Sequence, residues 1–100
     1  MGRLRWTVQA VEDVEAICDF IAKDSITYAR LFAKDILQAV KRLSKFPKSG
    51  RIVPEFSNKS IREIILGNYR IIYRIKNNII EILTVYHSAR LLKTDTDKNI

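Results

Sequence analysis

The sequence predicts an α+β domain in the order β-α-α-β-β-β: a short first strand, then an antiparallel two-helix hairpin packed on an antiparallel sheet. Three observations predict it. Apolar residues recur at helical spacing up to about residue 45 and at extended spacing from residue 60 onward. Two dipeptides suited to tight hairpins, Gly67-Asn68 and Asn77-Asn78, divide the extended part into three strands. Almost no linker separates the two helical stretches, so they should fold back on each other.

Residues 3–6 form the first strand. Thr7 is placed to cap the first helix, which runs to about Asp24, with Glu12 and Asp13 near the positive end of its dipole. Ala10, Val14, Ile17 and Ile21 make one face, joined by Val11 and Cys18; Glu12, Glu15, Asp19 and Lys23 make the other. The second helix starts at Ser25 and runs to about Lys45. Its apolar stripe is Ala29, Phe32, Ala33, Ile36, Val40 and Leu43. Arg30, Lys34, Gln38, Lys41 and Lys45 form a second stripe that is wholly basic or neutral. The segment Phe46-Pro47-Lys48-Ser49-Gly50 stops the helix, because proline disfavours helical geometry in the residue before it. Strands follow over 60–66, 69–76 and 79–87. Residues 1–92 make one domain, and 93–100 read as a polar tail that frays.

One hundred residues with 47% hydrophobic and 29% charged side chains make an ordinary globular balance. A single cysteine excludes an internal disulfide, and one cysteine with one histidine excludes the usual zinc clusters. No apolar run approaches the ~20 residues that span a bilayer. Met1-Gly2-Arg3-Leu4-Arg5-Trp6 leads straight into an acidic helical pattern, which predicts no signal peptide and a cytoplasmic domain. Three glycines leave no phosphate-binding loop or dinucleotide fingerprint. The expectation is therefore no cofactor, no metal and no membrane. The net charge of +7 is regional: residues 25–76 carry twelve Lys/Arg against three Asp/Glu, and residues 7–24 carry one against five. Such a region favours a polyanion or an acidic protein partner.

In the middle strand Arg70, Ile72, Arg74 and Lys76 alternate with Tyr69, Ile71, Tyr73 and Ile75. The cationic face is either a wet surface with salt bridges to Glu63 and Glu81, or an anion site, since guanidinium groups match phosphate bidentately. His87 ends the last strand and is the one side chain whose ordinary pKa suits proton transfer near neutrality. Glu55 is the only carboxylate between Asp35 and Glu63, and as a loop acid it could pair with Arg51. Cleaving RNA through its own 2′-hydroxyl needs a base, cations at the phosphorane and an acid for the leaving oxygen. Glu55, Arg70 and His87 could fill those roles in that order. Cys18, on the buried stripe, reads as inert packing.

Ser49-Gly50-Arg51-Ile52-Val53-Pro54-Glu55, Ile61-Arg62-Glu63-Ile64, Gly67-Asn68-Tyr69-Arg70-Ile71-Ile72-Tyr73-Arg74-Ile75 and Val85-Tyr86-His87-Ser88-Ala89-Arg90, in that order, resemble the RelE/ParE superfamily of toxins. With the opening strand and two helices, the resemblance covers about residues 3–92. It implies the toxin of a type II toxin–antitoxin pair, neutralised by a cognate antitoxin. The RelE-like branch cleaves mRNA on the ribosome; the ParE-like branch poisons DNA gyrase; a non-toxic antitoxin-binding relic is a third outcome. The resemblance gives Glu55, Arg70 and His87 the look of base, phosphate-binding arginine and acid. Arg51, Arg62, Arg74 and Arg90 look like supporting RNA-binding cations. Ribosome-dependent mRNA cleavage leads on that set. Against it stand a loop with only Lys59, where many nucleases carry further lysines, and a long helical hairpin that leans towards the gyrase-directed branch. Tyr86 should point to the face opposite His87.

Overall fold

The computed structural model describes residues 2–88. β1 (Arg3–Trp6) leads into α1 (Val8–Ala22) and α2 (Ile26–Arg42); after a single 3-10 turn at Pro47–Ser49 come β2 (Arg51–Ile52), β3 (Ile61–Leu66), β4 (Tyr69–Lys76) and β5 (Ile79–His87). The tail at 93–100 and Arg90 lie outside the described residues. The helices begin where short oxygen-bearing side chains can take an orphan N–H: Thr7 Oγ1 accepts from Ala10 N and Ser25 Oγ from Tyr28 N, each at 3.1 Å. Asn77 and Asn78 both adopt positive φ, 50° and 65°, and Gly67 adopts 58°, the backbone that two-residue hairpins demand.

The sheet has five strands in the order β1-β5-β4-β3-β2. The three long strands form the expected antiparallel meander. Two features lie beyond the sequence expectation. Arg51 and Ile52 add a short strand against Glu63 and Arg62. β1 pairs with β5 in parallel, from Arg3 beside Ile79 to Trp6 beside Ile82. A parallel pair needs a long crossover, and everything between the two strands provides one. The sheet is therefore mixed rather than wholly antiparallel.

Helix and sheet share one apolar core, in which Ala10, Ile36, Val40 and Leu43 meet Ile71, Tyr73, Ile80, Ile82 and Val85. Val11, assigned to the inner face by its spacing, is 42% exposed. Cys18 is partly buried, and burial pushes its thiol up with Asp19 adding to the shift.

Between β4 and β5 the register slips: Ile72 faces Thr84 but Tyr73 faces Ile82, so Leu83 is a bulge residue. Two side chains tie the bulge down. Thr7 Oγ1 lies 2.8 Å from Ile82 O and 3.0 Å from Leu83 O. The Asp13 carboxylate accepts from the Thr84 hydroxyl and, at 3.1 Å, from Val85 N. Because facing alternates along a strand, the extra residue swaps the two sides beyond it. Ile80 and Ile82 before the bulge and Val85 after it all reach the core.

The turn before β2 is fixed from the sheet. Tyr73 Oη donates to Pro47 O at 2.6 Å and accepts from Gly50 N at 3.0 Å. Arg62 Nη1 donates to Gly50 O at 2.9 Å. A Cβ on Gly50 would lie 2.5 Å from Glu63 O and 2.6 Å from Tyr73 Oη, so only glycine fits. Gly50→Ala is expected to lower stability by roughly 1–3 kcal/mol through overpacking, read as a shift in the denaturation midpoint.

Candidate functional site

The sheet face turned away from the helices carries the charges. Pairing sets Glu63 beside Ile72, Ile65 beside Arg70 and Ile61 beside Arg74, so Glu63, Arg70 and Arg74 share that face. Around Glu63 and Arg70 it is not the wet surface that its charges suggest. Ile72 and Val53 are fully buried, Glu63 is 1% exposed and Arg70 6%. The loop at 53–60 covers this part of the sheet and brings Glu55 down onto Arg70.

Arg70 is held on all three nitrogens. Nε donates to Glu63 Oε1 at 2.5 Å, while Nη1 and Nη2 donate to the two oxygens of Glu55 at 2.9 and 3.0 Å. Arg51 Nε closes the set from the edge strand by donating to Glu63 Oε2. Two carboxylates thus balance two guanidiniums. The bond to Glu55 pushes the Arg70 guanidinium above its ordinary value; desolvation opposes this, and Glu63 adds to it. The Tyr86 ring lies 5.5 Å from the Arg70 guanidinium carbon. Burial pushes its phenol up to about 12, with Arg70 opposing and Glu55 and Glu63 adding. The Tyr86 oxygen is buried without a hydrogen-bond partner among the described residues. A groove of about 350 Å³, lined by Arg42, Ser49, Arg51 and Ile65 among others, opens beside the set.

His87 is elsewhere. It pairs with Tyr69, their rings 5.4 Å apart at 74°. Tyr69 in turn packs against Phe32 of α2 at 4.9 Å. His87 therefore lies on the helix side of the sheet, with Tyr86 opposite it as expected. The structure brings Glu55 to Arg70 and leaves His87 across the sheet from both. Unbroken alternation from Ile80 and Ile82 would have put His87 beside Arg70; the bulge at Leu83 reverses it.

The supporting arginines have structural partners too. Glu55 pairs with Arg70 rather than with Arg51, whose partner is Glu63. Arg62 holds the carbonyl of Gly50. Arg74 donates to Glu81 at 2.5 Å, and Arg5 lies 3.8 Å from the same carboxylate. Any phosphate at Arg70 would have to displace Glu55. Among the described residues, no group of three or more His, Cys, Asp or Glu could hold a metal ion, and no helix is long and apolar enough to cross a membrane.

Fold and site together define a small basic domain whose buried charges are internally balanced. The family model described as "ParE toxin of type II toxin-antitoxin system, parDE" matches residues 4–92. The chain is 39% identical over 88 residues to "Putative toxin Y4kP" of Sinorhizobium fredii, covering 86% of this chain and 88% of that one. It is 29% identical over 92 residues to "Toxin RelE2" of Caulobacter vibrioides, covering 91% and 100%. Among solved structures it is similar to one titled "Chromosomal ParDE TA system from P. aeruginosa", with a TM-score of 0.72 and 27% identity over 87% of this chain and 96% of that one. The RelBE2 toxin–antitoxin complex of Mycobacterium tuberculosis shares the fold, with a TM-score of 0.62 at 23% identity over 89% and 93%. The chain belongs to the ParE toxin family of type II toxin–antitoxin systems, within the RelE/ParE superfamily.

Proposed function

We propose that this toxin stops growth in the cytoplasm by binding a protein target, DNA gyrase as in the ParE-like branch, and that a cognate antitoxin neutralises it. One observation carries the choice over RNA cleavage. The cation that would stabilise a phosphorane, Arg70, is buried in bonds to Glu55 and Glu63, and the candidate acid His87 lies on the other side of the sheet. Catalysis by charge depends on groups aimed at the reacting centre, and here they are aimed at each other. The helical hairpin instead exposes Phe20, Ile26, Leu31 and Leu37, a surface suited to a protein partner. An acidic antitoxin segment lying across the hairpin and the sheet would cover it.

Brief induction without antitoxin tests this. The expected result is growth arrest with inhibited gyrase supercoiling and unbroken mRNA. New breaks in the ribosomal A site with normal supercoiling would establish the ribosome as the target and cleavage as the activity. Normal growth with folded protein would mark a non-toxic relic. His87→Ala should keep its growth inhibition, whereas loss of a general acid would weaken toxicity by about 10²–10⁴-fold.

A further inference from the structure

Of the sheet cations Arg3 and Lys76 have no ion-pair partner among the described residues, but the others are consumed internally: Arg5, Arg51, Arg70 and Arg74 are in ion pairs, and Arg62 is bonded to a carbonyl. Those of α2 are not. Arg30, Lys34 and Lys41 are exposed, and none has an ion-pair partner among the described residues. No Asp or Glu stands three or four positions from any of them. At 3.6 residues per turn the three fall within about 40° of one another, and a rise of 1.5 Å per residue spreads them over roughly 16 Å. Arg30 and Lys34 form a like-charge pair at i, i+4, and such a pair weakens a helix. Among the described residues no ion pair offsets that cost, and of the three only Lys41, in the last turn, gains from the negative end of the helix dipole.

We infer that the α2 stripe of Arg30, Lys34 and Lys41 binds the phosphate backbone of duplex DNA. Duplex DNA carries one negative charge per ~1.7 Å of axis, so each cation meets a phosphate at any sequence. Thr27 and Gln38 border the stripe on one side with polar side chains of the kind that bond phosphate oxygens, and the exposed Ile26 and Leu37 border it on the other. No aromatic residue lies on the stripe to stack unpaired bases, which disfavours single-stranded RNA. The contact does not depend on which target the toxin poisons.

Fluorescence anisotropy of the purified full chain with a labelled duplex of mixed sequence tests this, across about 50–200 mM salt. Three phosphate contacts give a slope of about −2.7 in log K against log salt, a loss of roughly 40-fold over that range. The triple variant R30Q/K34Q/K41Q should flatten the slope to about −1 or less while circular dichroism stays unchanged. The charge-matched control K48Q/K59Q/K76Q should keep the parent slope. Equal losses in both triples would mean that net charge alone attracts DNA, and would overturn the site. Tighter α2-dependent binding of polyglutamate or of single-stranded RNA than of the duplex would overturn the choice of DNA, as would no binding at the lowest salt.

Discussion

Arg70→Met should destabilise the chain by about 3–5 kcal/mol, a large part of the ~5–15 kcal/mol that holds a domain together. The reason is what it leaves behind. Glu63 is 1% exposed, and without Arg70 only the edge-strand guanidinium of Arg51 remains to balance it. Glu55 also loses the fork that ties the 53–60 loop to the sheet. Arg70→Lys should fall between, since one ammonium cannot bond two carboxylates in the planar geometry of a guanidinium. Adding Glu63→Leu to Arg70→Met should recover much of the loss, because replacing a whole buried ion pair by apolar groups is often neutral. Denaturant midpoints of the three variants measure this. Arg70→Met with an unchanged midpoint would show that the buried charges do not organise this face.

The helical hairpin and the meander were legible because each rests on a local rule. Thr7 and Ser25 sit where the caps are, and Gly67, Asn77 and Asn78 supply the positive φ the turns need. Salt bridges from the cationic face to Glu63 and Glu81 were legible as one of two readings, since strand alternation gathers the cations there; the structure pairs Arg70 with Glu63 and Arg74 with Glu81. What escaped depends on non-local geometry. A two-residue strand at Arg51 has no period to detect. The parallel pairing of β1 with β5 joins residues more than seventy positions apart. The burial of Arg70 follows from a loop laid over the sheet, which strand patterning does not register. The site expectation turned on His87, and alternation alone carries it to the side of Arg70. Only the bulge moves it away, and the signal for that bulge is spread over Thr7, Asp13 and Thr84.

The two faces of the domain follow from this accounting of charge. Five arginines of the sheet stabilise the fold and have little left to offer a ligand. The cations of α2 have no ion-pair partner among the described residues, and beyond the favourable charge of Lys41 and Arg42 at the helix C-terminus they remain available. A net charge of +7 is thus a poor guide to where an anion binds, until the internally balanced charges are set aside.

Asp13→Ala should cost about 2–4 kcal/mol, far more than its position on an amphipathic helix suggests. Its carboxylate accepts from the Thr84 hydroxyl and from Val85 N, two bonds to a charged acceptor at the bulge. Removing it leaves the Val85 amide without this partner beside a core residue that is 1% exposed. The bulge also decides which side of the sheet Tyr86 and His87 face, so loosening it should weaken the packing of His87 against Tyr69. Asp13→Asn should retain part of the stability through its amide oxygen. Glu12→Ala, one residue away and exposed, should change stability by no more than about 0.5 kcal/mol. The check is the denaturation midpoint of each variant together with the ring-proton shifts of Tyr69 and His87. If Asp13→Ala behaves like Glu12→Ala and the ring shifts stay put, the bulge is held by the strands alone and Asp13 has no part in setting the two faces.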